Sequence, residues 1–295
     1  MGRTRKIKVS GINIRVHTRH DPAEYFELWK ALHKLKWAKI RGPSALMIGD
    51  MRKINESSAN PQVFGYFYRF INIDPADPWF DIEEHKKADA EDVAEVVIPK
   101  KLKPSLQEFP YLFDLKTHKL FFKSGGYGGG ISPGVVHALL EQLVGAVKIK
   151  ARFTDVEVTT LTDTAAIEKL LRWPVIKKIN VVLERPNPTD FDDEVSFFER
   201  LQRRGVKREV ITYTKQPGVP SIMPDTEMKA MIKIAADNGK YTQTGIDESG
   251  DETTASSVDF PLQETANYDP NLSLEKDAFV RLIDTKLLSI STTRR

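Results

Sequence analysis

The chain has 295 residues, 40 % of them hydrophobic and 29 % charged, which suits one large domain or two subdomains with a sizeable core and excludes a disordered chain. It holds no cysteine, so disulfides, thiolate zinc sites and cysteine nucleophiles are excluded, and no apolar run nears the ~20 residues that span a bilayer. The net charge of +3 hides a segregation of sign: residues 1–41 carry eleven Lys/Arg against three Asp/Glu and residues 200–215 six against one, whereas residues 74–95 carry nine acids against two lysines and residues 247–277 nine against one.

In chain order, the basic N-terminus MGRTRKIKVSGINIRV lacks a secretory apolar segment, and Lys6 stands where myristoylation usually needs Ser or Thr, so a cytoplasmic protein with no membrane association is expected. Alternation of Ile7, Val9, Ile12, Ile14 and Val16 predicts a strand with a bulge at Gly11. Asp21 and Pro22 then read as the cap and first turn of a helix carrying Phe26, Trp29, Leu32 and Leu35. KIRGPSALMIGDMRKI and QVFGYFYRFINI follow as strands of one antiparallel sheet. The acidic run 74–95 reads as a loop with a short helix, EVVIPKKLKP as a short strand, and FPYLFDLKTHKLFF as a hairpin.

Five glycines, Gly125, Gly126, Gly128, Gly129 and Gly130, join that hairpin to a helix opening at Ser132 and Pro133. KARFTDVEVTTLT, TAAIEKLLRW and VIKKINVVLERP read as strand, helix and strand, a βαβ unit. DFDDEVSFFERLQRRG predicts a helix, REVITYTKQ a strand, and PDTEMKAMIKIAADNG a helix closed by Gly239. KYTQTGIDESGDETTASSV reads as a hairpin turning at Ser249 and Gly250, and SLEKDAFVRLIDTKLLS as the last helix. The expected fold is α+β, mainly antiparallel, in two subdomains: 1–150 with a basic arm and the glycine-rich loop, and 151–295 with the βαβ unit and a C-terminal hairpin and helix.

Three readings of the glycine loop stay open. It sits between strand and helix, where free amides attract phosphate, yet it lacks the Lys-Ser/Thr pair of a Walker loop and the spacing of GxGxxG. A nucleotide cradle, a loop touching nucleic acid through Lys123 and Tyr127, and a mobile hinge are the choices. No three of the six histidines fall at metal-ligand spacing, the acids of FDDEV suit a first helical turn, and no GxSxG or nuclease carboxylate–lysine set occurs, so no metal, cofactor or catalytic residue is assigned. The functional signal is basic: Arg3, Arg5, Lys6 and Lys8 as an arm along a phosphate backbone, and Arg200, Arg203, Arg204, Lys207 and Arg208 as a second cluster. GYFYRF is also similar to the aromatic strand of an RNA-binding sheet, although half of such a strand ordinarily faces the core.

At LKPSLQEFPYLFDLKTHKLFFKS and AADNGKYTQTGIDESGDETTAS the chain resembles a bacterial family of uncharacterised proteins of about this length. In its order of elements it is also similar to the phage lambda exclusion protein family, RexA. That resemblance implies DNA binding, dimerisation and phage exclusion, and transfers no site residue. The expectation is a non-enzymatic DNA- or RNA-binding protein of a phage-defence system, a homodimer through a sheet edge or its charge-segregated surfaces. The alternatives are a metal-dependent nuclease or other phosphate-handling enzyme, and a protein-directed sensor or regulator of a partner effector protein with the acidic stretches as its interface.

Overall fold

The computed structural model describes residues 4–16, 21–35, 37–55, 60–99, 101–184, 201 and 203–288. It is an α+β fold in which every strand pairing among the described residues is antiparallel. β1 (Arg5–Val16), the predicted first strand, lies inside an eight-stranded sheet. One of its edges pairs with β8 (Lys119–Gly126). The other is shared: β14 (Glu264–Tyr268) takes the first half and β9 (Val156–Thr160) the second. Beyond β8 the order continues through β7 (Gln107–Asp114), β4 (Gln62–Ile71), β3 (Ser44–Ile54) and β2 (Ala38–Arg41). The β1 bulge lies between Lys8 and Val9, not at Gly11, which stays in register with Phe121.

Because side chains alternate across a strand, Ile12, Ile14 and Val16 face one core and Ile7 and Val9 another. The first core is covered by α1 (Pro22–His33) and α3 (Pro133–Val144). Asp21 starts α1 as predicted, accepting a hydrogen bond from the Glu24 amide at 2.8 Å. The buried Trp29 indole of α1 donates to the Tyr111 hydroxyl at 3.0 Å, so the core keeps no orphan ring N–H there. The second core is covered by the last helix, Glu275–Leu282, and the π-helical turn Ile283–Leu288 that continues it, with Phe279, Leu282 and Ile283 buried in one cluster with Ile7 and Val9.

A four-stranded sheet forms from β10 (Val175–Glu184), β11 (Arg208–Thr214), β12 (Gly239–Ile246) and β13 (Glu252–Ser256), with the helix Thr226–Asp237 against one face. The predicted strand–helix–strand succession at 156–184 is present, but it is not a βαβ unit. β9 pairs with β1 in the large sheet while β10 opens the small one, so the two strands never run side by side. Asn238, not Gly239, caps the preceding helix, and Gly239 opens β12. No strand forms at 96–99 or 101–106, where Pro99 and Pro104 lack amide hydrogens and no neighbouring strand is offered. The predicted helix at 190–205 falls largely outside the described residues.

The chain crosses residue 150 repeatedly, since the large sheet takes β9 and β14 from the second half. A polar seam joins the sheets. The Arg15 guanidinium, with no exposed surface, lies 3.3 Å from Glu157 and 3.5 Å from Glu184, and donates to the Thr159 hydroxyl at 2.9 Å. Nearby, the Asn13 amide donates to Asn238 at 3.2 Å.

Breaking such a buried pair from one side leaves charge without compensation. Arg15→Met is therefore expected to lower unfolding free energy by about 3–5 kcal/mol in urea denaturation; a loss below about 1 kcal/mol would show that the seam does not hold the sheets. Burial also pushes the Tyr111 and Tyr241 phenols well above the ordinary tyrosine value. Their contribution is complete below the unfolded-state value and is lost as pH rises through the folded ones. Alkaline titration should thus show tyrosinate absorbance from these residues appearing together with loss of circular dichroism, not before it.

Candidate nucleic-acid interface

The hairpin β7–β8 ends in the glycine loop because β8 runs alongside the start of β1, pairing Gly126 with Ile7 and Gly125 with Lys8. A side chain at Gly126 would stand 2.2 Å from the Lys6 carbonyl oxygen, and the residue has φ +101°. One at Gly130 would stand 2.2 Å from the Gly125 amide nitrogen. These two glycines serve close backbone approach. Hydrogen bonds then close the loop: the Tyr127 amide donates to Lys6 at 2.8 Å and the Ile131 amide to Lys123 at 3.1 Å. Ser132 begins α3, but its hydroxyl makes no capping bond.

The loop brings five of the predicted residues together. The Arg5 guanidinium lies over the exposed Tyr127 ring, 3.9 Å from its centroid, a cation–π contact. Lys6, the next residue along the strand, is exposed. Lys8 reaches past Gly125 and donates to Gln263 at 3.0 Å. Among the described residues none of Arg5, Lys6 and Lys8 forms a salt bridge, so their charge faces outward.

Lys123 has a different part. It is buried, and its ammonium donates to the Tyr127 carbonyl at 2.7 Å and to Glu275 at 2.6 Å. Glu275, at the first turn of the last helix, also accepts from the Tyr268 hydroxyl at 3.1 Å, and Arg5 stands opposite that tyrosine in the β1–β14 ladder. Burial, and then the Glu275 carboxylate, push the Tyr268 phenol above its ordinary value. A run of contacts, Tyr127–Lys123–Glu275–Tyr268, thus ties the loop to β14 and the last helix. Lys123 is a strut for the cationic rim and does not belong to its surface. Glu275 had no local signal in the sequence, because its partner Lys123 lies 152 residues away.

The second basic cluster lies elsewhere. Arg5 and Arg15 are ten residues apart along β1, about 33 Å at strand rise, and Lys207 and Arg208 sit at the Arg15 end. There acids meet them: Lys207 with Asp155 at 2.9 Å and Glu157 at 3.8 Å, Arg208 with Glu184 at 4.0 Å, and Arg204 with Glu209 at 3.6 Å. Arg203 is exposed. Arg3 and Arg200, with His17, His20 and the acids of FDDEV, lie outside the described residues.

Other candidates resolve into structural parts. Asp114 accepts from the Lys116 and Thr117 amides of the hairpin turn, and the His118 ring stacks on Tyr25 at 3.7 Å between centroids. A ring nitrogen of His137 meets the Val158 carbonyl at 3.2 Å. In GYFYRF, Phe67 and Phe70 are buried while Tyr66, Tyr68 and Arg69 are half-buried, the ordinary division of a strand between core and surface. Among the described residues no three His, Cys, Asp or Glu side chains converge as metal ligands, and no helix is long and apolar enough to cross a membrane.

Residues 5–284 match the model of a protein family described as a domain of unknown function, DUF4747. No curated protein matches the chain.

The Lys123–Glu275 pair is asymmetric, with side-chain exposures of 4 % and 33 %. Glu275→Ala leaves the ammonium buried and is expected to cost about 3 kcal/mol, whereas Lys123→Met leaves a carboxylate already open to water and should cost about 1 kcal/mol. Urea denaturation of both variants checks this; equal costs would refute the strut.

Proposed function

The chain belongs to that family, and we propose that it is a non-enzymatic nucleic-acid-binding protein whose contact surface is the rim of Arg5, Lys6, Lys8 and Tyr127. One observation carries this reading: three cations without salt-bridge partners among the described residues, one of them over an exposed aromatic ring, stand at one end of the large sheet. Cations of this kind exchange with the counterions condensed on a phosphate backbone, and an exposed tyrosine offers a face on which an unpaired base can stack. The Arg203–Arg208 cluster contributes less, since Arg204, Lys207 and Arg208 already spend their charge on carboxylates. A place in phage defence rests on the resemblance in element order to the lambda exclusion family. A dimer, a second property of that family, rests on the same resemblance.

Fluorescence anisotropy with single- and double-stranded oligonucleotides of mixed sequence tests the proposal. Three rim cations predict a slope of log affinity against log salt of about −2.7 on duplex, at about −0.9 per phosphate contact. Lys6→Ala combined with Lys8→Ala should weaken binding and reduce the slope by about 2, whereas Arg203→Ala with Arg204→Ala should change it little. Affinity that ignores salt, or that depends on the Arg203 cluster and not the rim, would overturn the assignment.

A further inference from the structure

A cavity of about 330 Å³ opens at the edge of the large sheet formed by β2, where that strand, the β2–β3 turn and the segment after β4 meet. Its walls follow from the strand pattern. Ala38 and Ile40 of β2 turn to the core under α1 and α3, so Lys39 stands on the other face, opposite Ala45, which in turn stands opposite Phe70. Trp37, just before β2, sets its ring edge-on to the buried Phe70, with centroids 6.3 Å apart and planes at 84°. The Asn72 amide donates to the Pro43 carbonyl at 2.7 Å, which holds the segment after β4 against the turn and brings Asn72, Asp74 and Asp77 to the same cavity.

Polar groups of four kinds line this space without a protein partner. Among the described residues the Lys39 ammonium and the Asp77 carboxylate form no salt bridge, and the Asn72 carboxamide and the Trp37 indole N–H make no hydrogen bond. Asp74 accepts from the Ala76 amide at 3.0 Å through one oxygen, which leaves the other unbonded. Convergent polar groups beside a half-buried aromatic ring are the make-up of a small-molecule site, and such sites have volumes of about 300–1,000 Å³.

We infer that this cavity takes a guanine nucleotide. An ionised carboxylate accepts hydrogen bonds and cannot donate them, so Asp74 and Asp77 call for a ligand with adjacent donors. Among the bases guanine offers these, at N1–H and the N2 amino group. Its O6 and N7 are acceptors, the complement of the Asn72 amide and the Trp37 N–H. The two-ring indole matches a purine in area, and bases stack on such faces. Lys39 supplies a point charge for the phosphate. Adenine fails at the same edge, because its N1 would set a lone pair against the carboxylates. A free nucleotide and a guanine within a strand share this chemistry. The cavity lies five strand spacings from β1, about 24 Å, so the inference does not rest on the rim.

Isothermal titration calorimetry of the full chain tests this with GMP as the probe. GMP should bind, and AMP at least about tenfold more weakly, the discrimination that one good pair of base-edge hydrogen bonds gives. Asp74→Asn combined with Asp77→Asn keeps an acceptor for the Ala76 amide and should weaken GMP by a similar factor. Lys39→Ala should weaken GMP and leave guanosine unchanged. Lys6→Ala with Lys8→Ala should leave GMP binding as it is, so this inference and the rim can fail separately. The inference is overturned by no heat with GMP at millimolar concentration, by AMP or free arginine binding as tightly as GMP, by wild-type affinity in either cavity variant, or by loss of GMP binding in the rim variant. The comparison of GMP with AMP needs no substitution, so it decides the matter even where a variant fails to fold. In the rim variant, an oligothymidylate holding one guanine separates the two sources: binding tighter than GMP assigns the cavity to a strand, and equal or weaker binding to the free nucleotide.

Discussion

The two-sided pairing of β1 constrains most of what surrounds it. Twelve residues near the N-terminus bond β8 along one edge, while two strands from the distant second half, β14 and β9, divide the other. The bulge between Lys8 and Val9 keeps the register that sets Gly126 against Ile7, and with it the place of the glycine loop. Alternation along the strand then sorts its side chains. Ile12, Ile14 and Val16 go to the core under α1 and α3, Ile7 and Val9 to the core under the last helix, and Asn13 and Arg15 to the seam with the small sheet. Displacing the strand by one residue would send Arg15 into an apolar core and Ile14 into the seam, so the register is firmly held.

The same strand separates the charges. Its first residues carry the unpaired cations and its last the buried guanidinium, roughly 33 Å away. At the Arg15 end, acids from β9, β10 and β11 meet the basic residues, and the result is a bonded junction. At the Arg5 end Lys123 and Tyr268 occupy the two oxygens of the Glu275 carboxylate. Positive charge is thus consumed at one end of the strand and left outward at the other.

Much of the fold was legible from local pattern. The Asp21–Pro22 start of α1, the hairpin β7–β8 and the hairpin β12–β13 all rest on contacts within a few residues. The Asp21 cap, Asp114 on its turn amides, and Asp247 on the Ser249 and Asp251 amides are examples. β14 was missed because ETANY has little strand character of its own and exists through its ladder with Arg5–Val9. The βαβ reading failed for a related reason: strand, helix and strand were each local, but which sheet a strand joins is decided by partners far off in the chain. For the rim, composition marked the cations and the glycines as a group, yet it could not distinguish Lys123, a buried strut, from Lys6, an exposed charge.

The sequence by itself determined the class of fold, most of its strands and helices, the segregation of charge and the absence of thiol chemistry, since these follow from composition, periodicity and short-range capping. Only the tertiary structure decided which charges are neutralised and why two of the glycines are required. Those outcomes depend on distances between residues far apart in sequence, as with Lys123 and Glu275 or Arg15 and Glu184, and such distances are set by strand order and register, which no local pattern encodes.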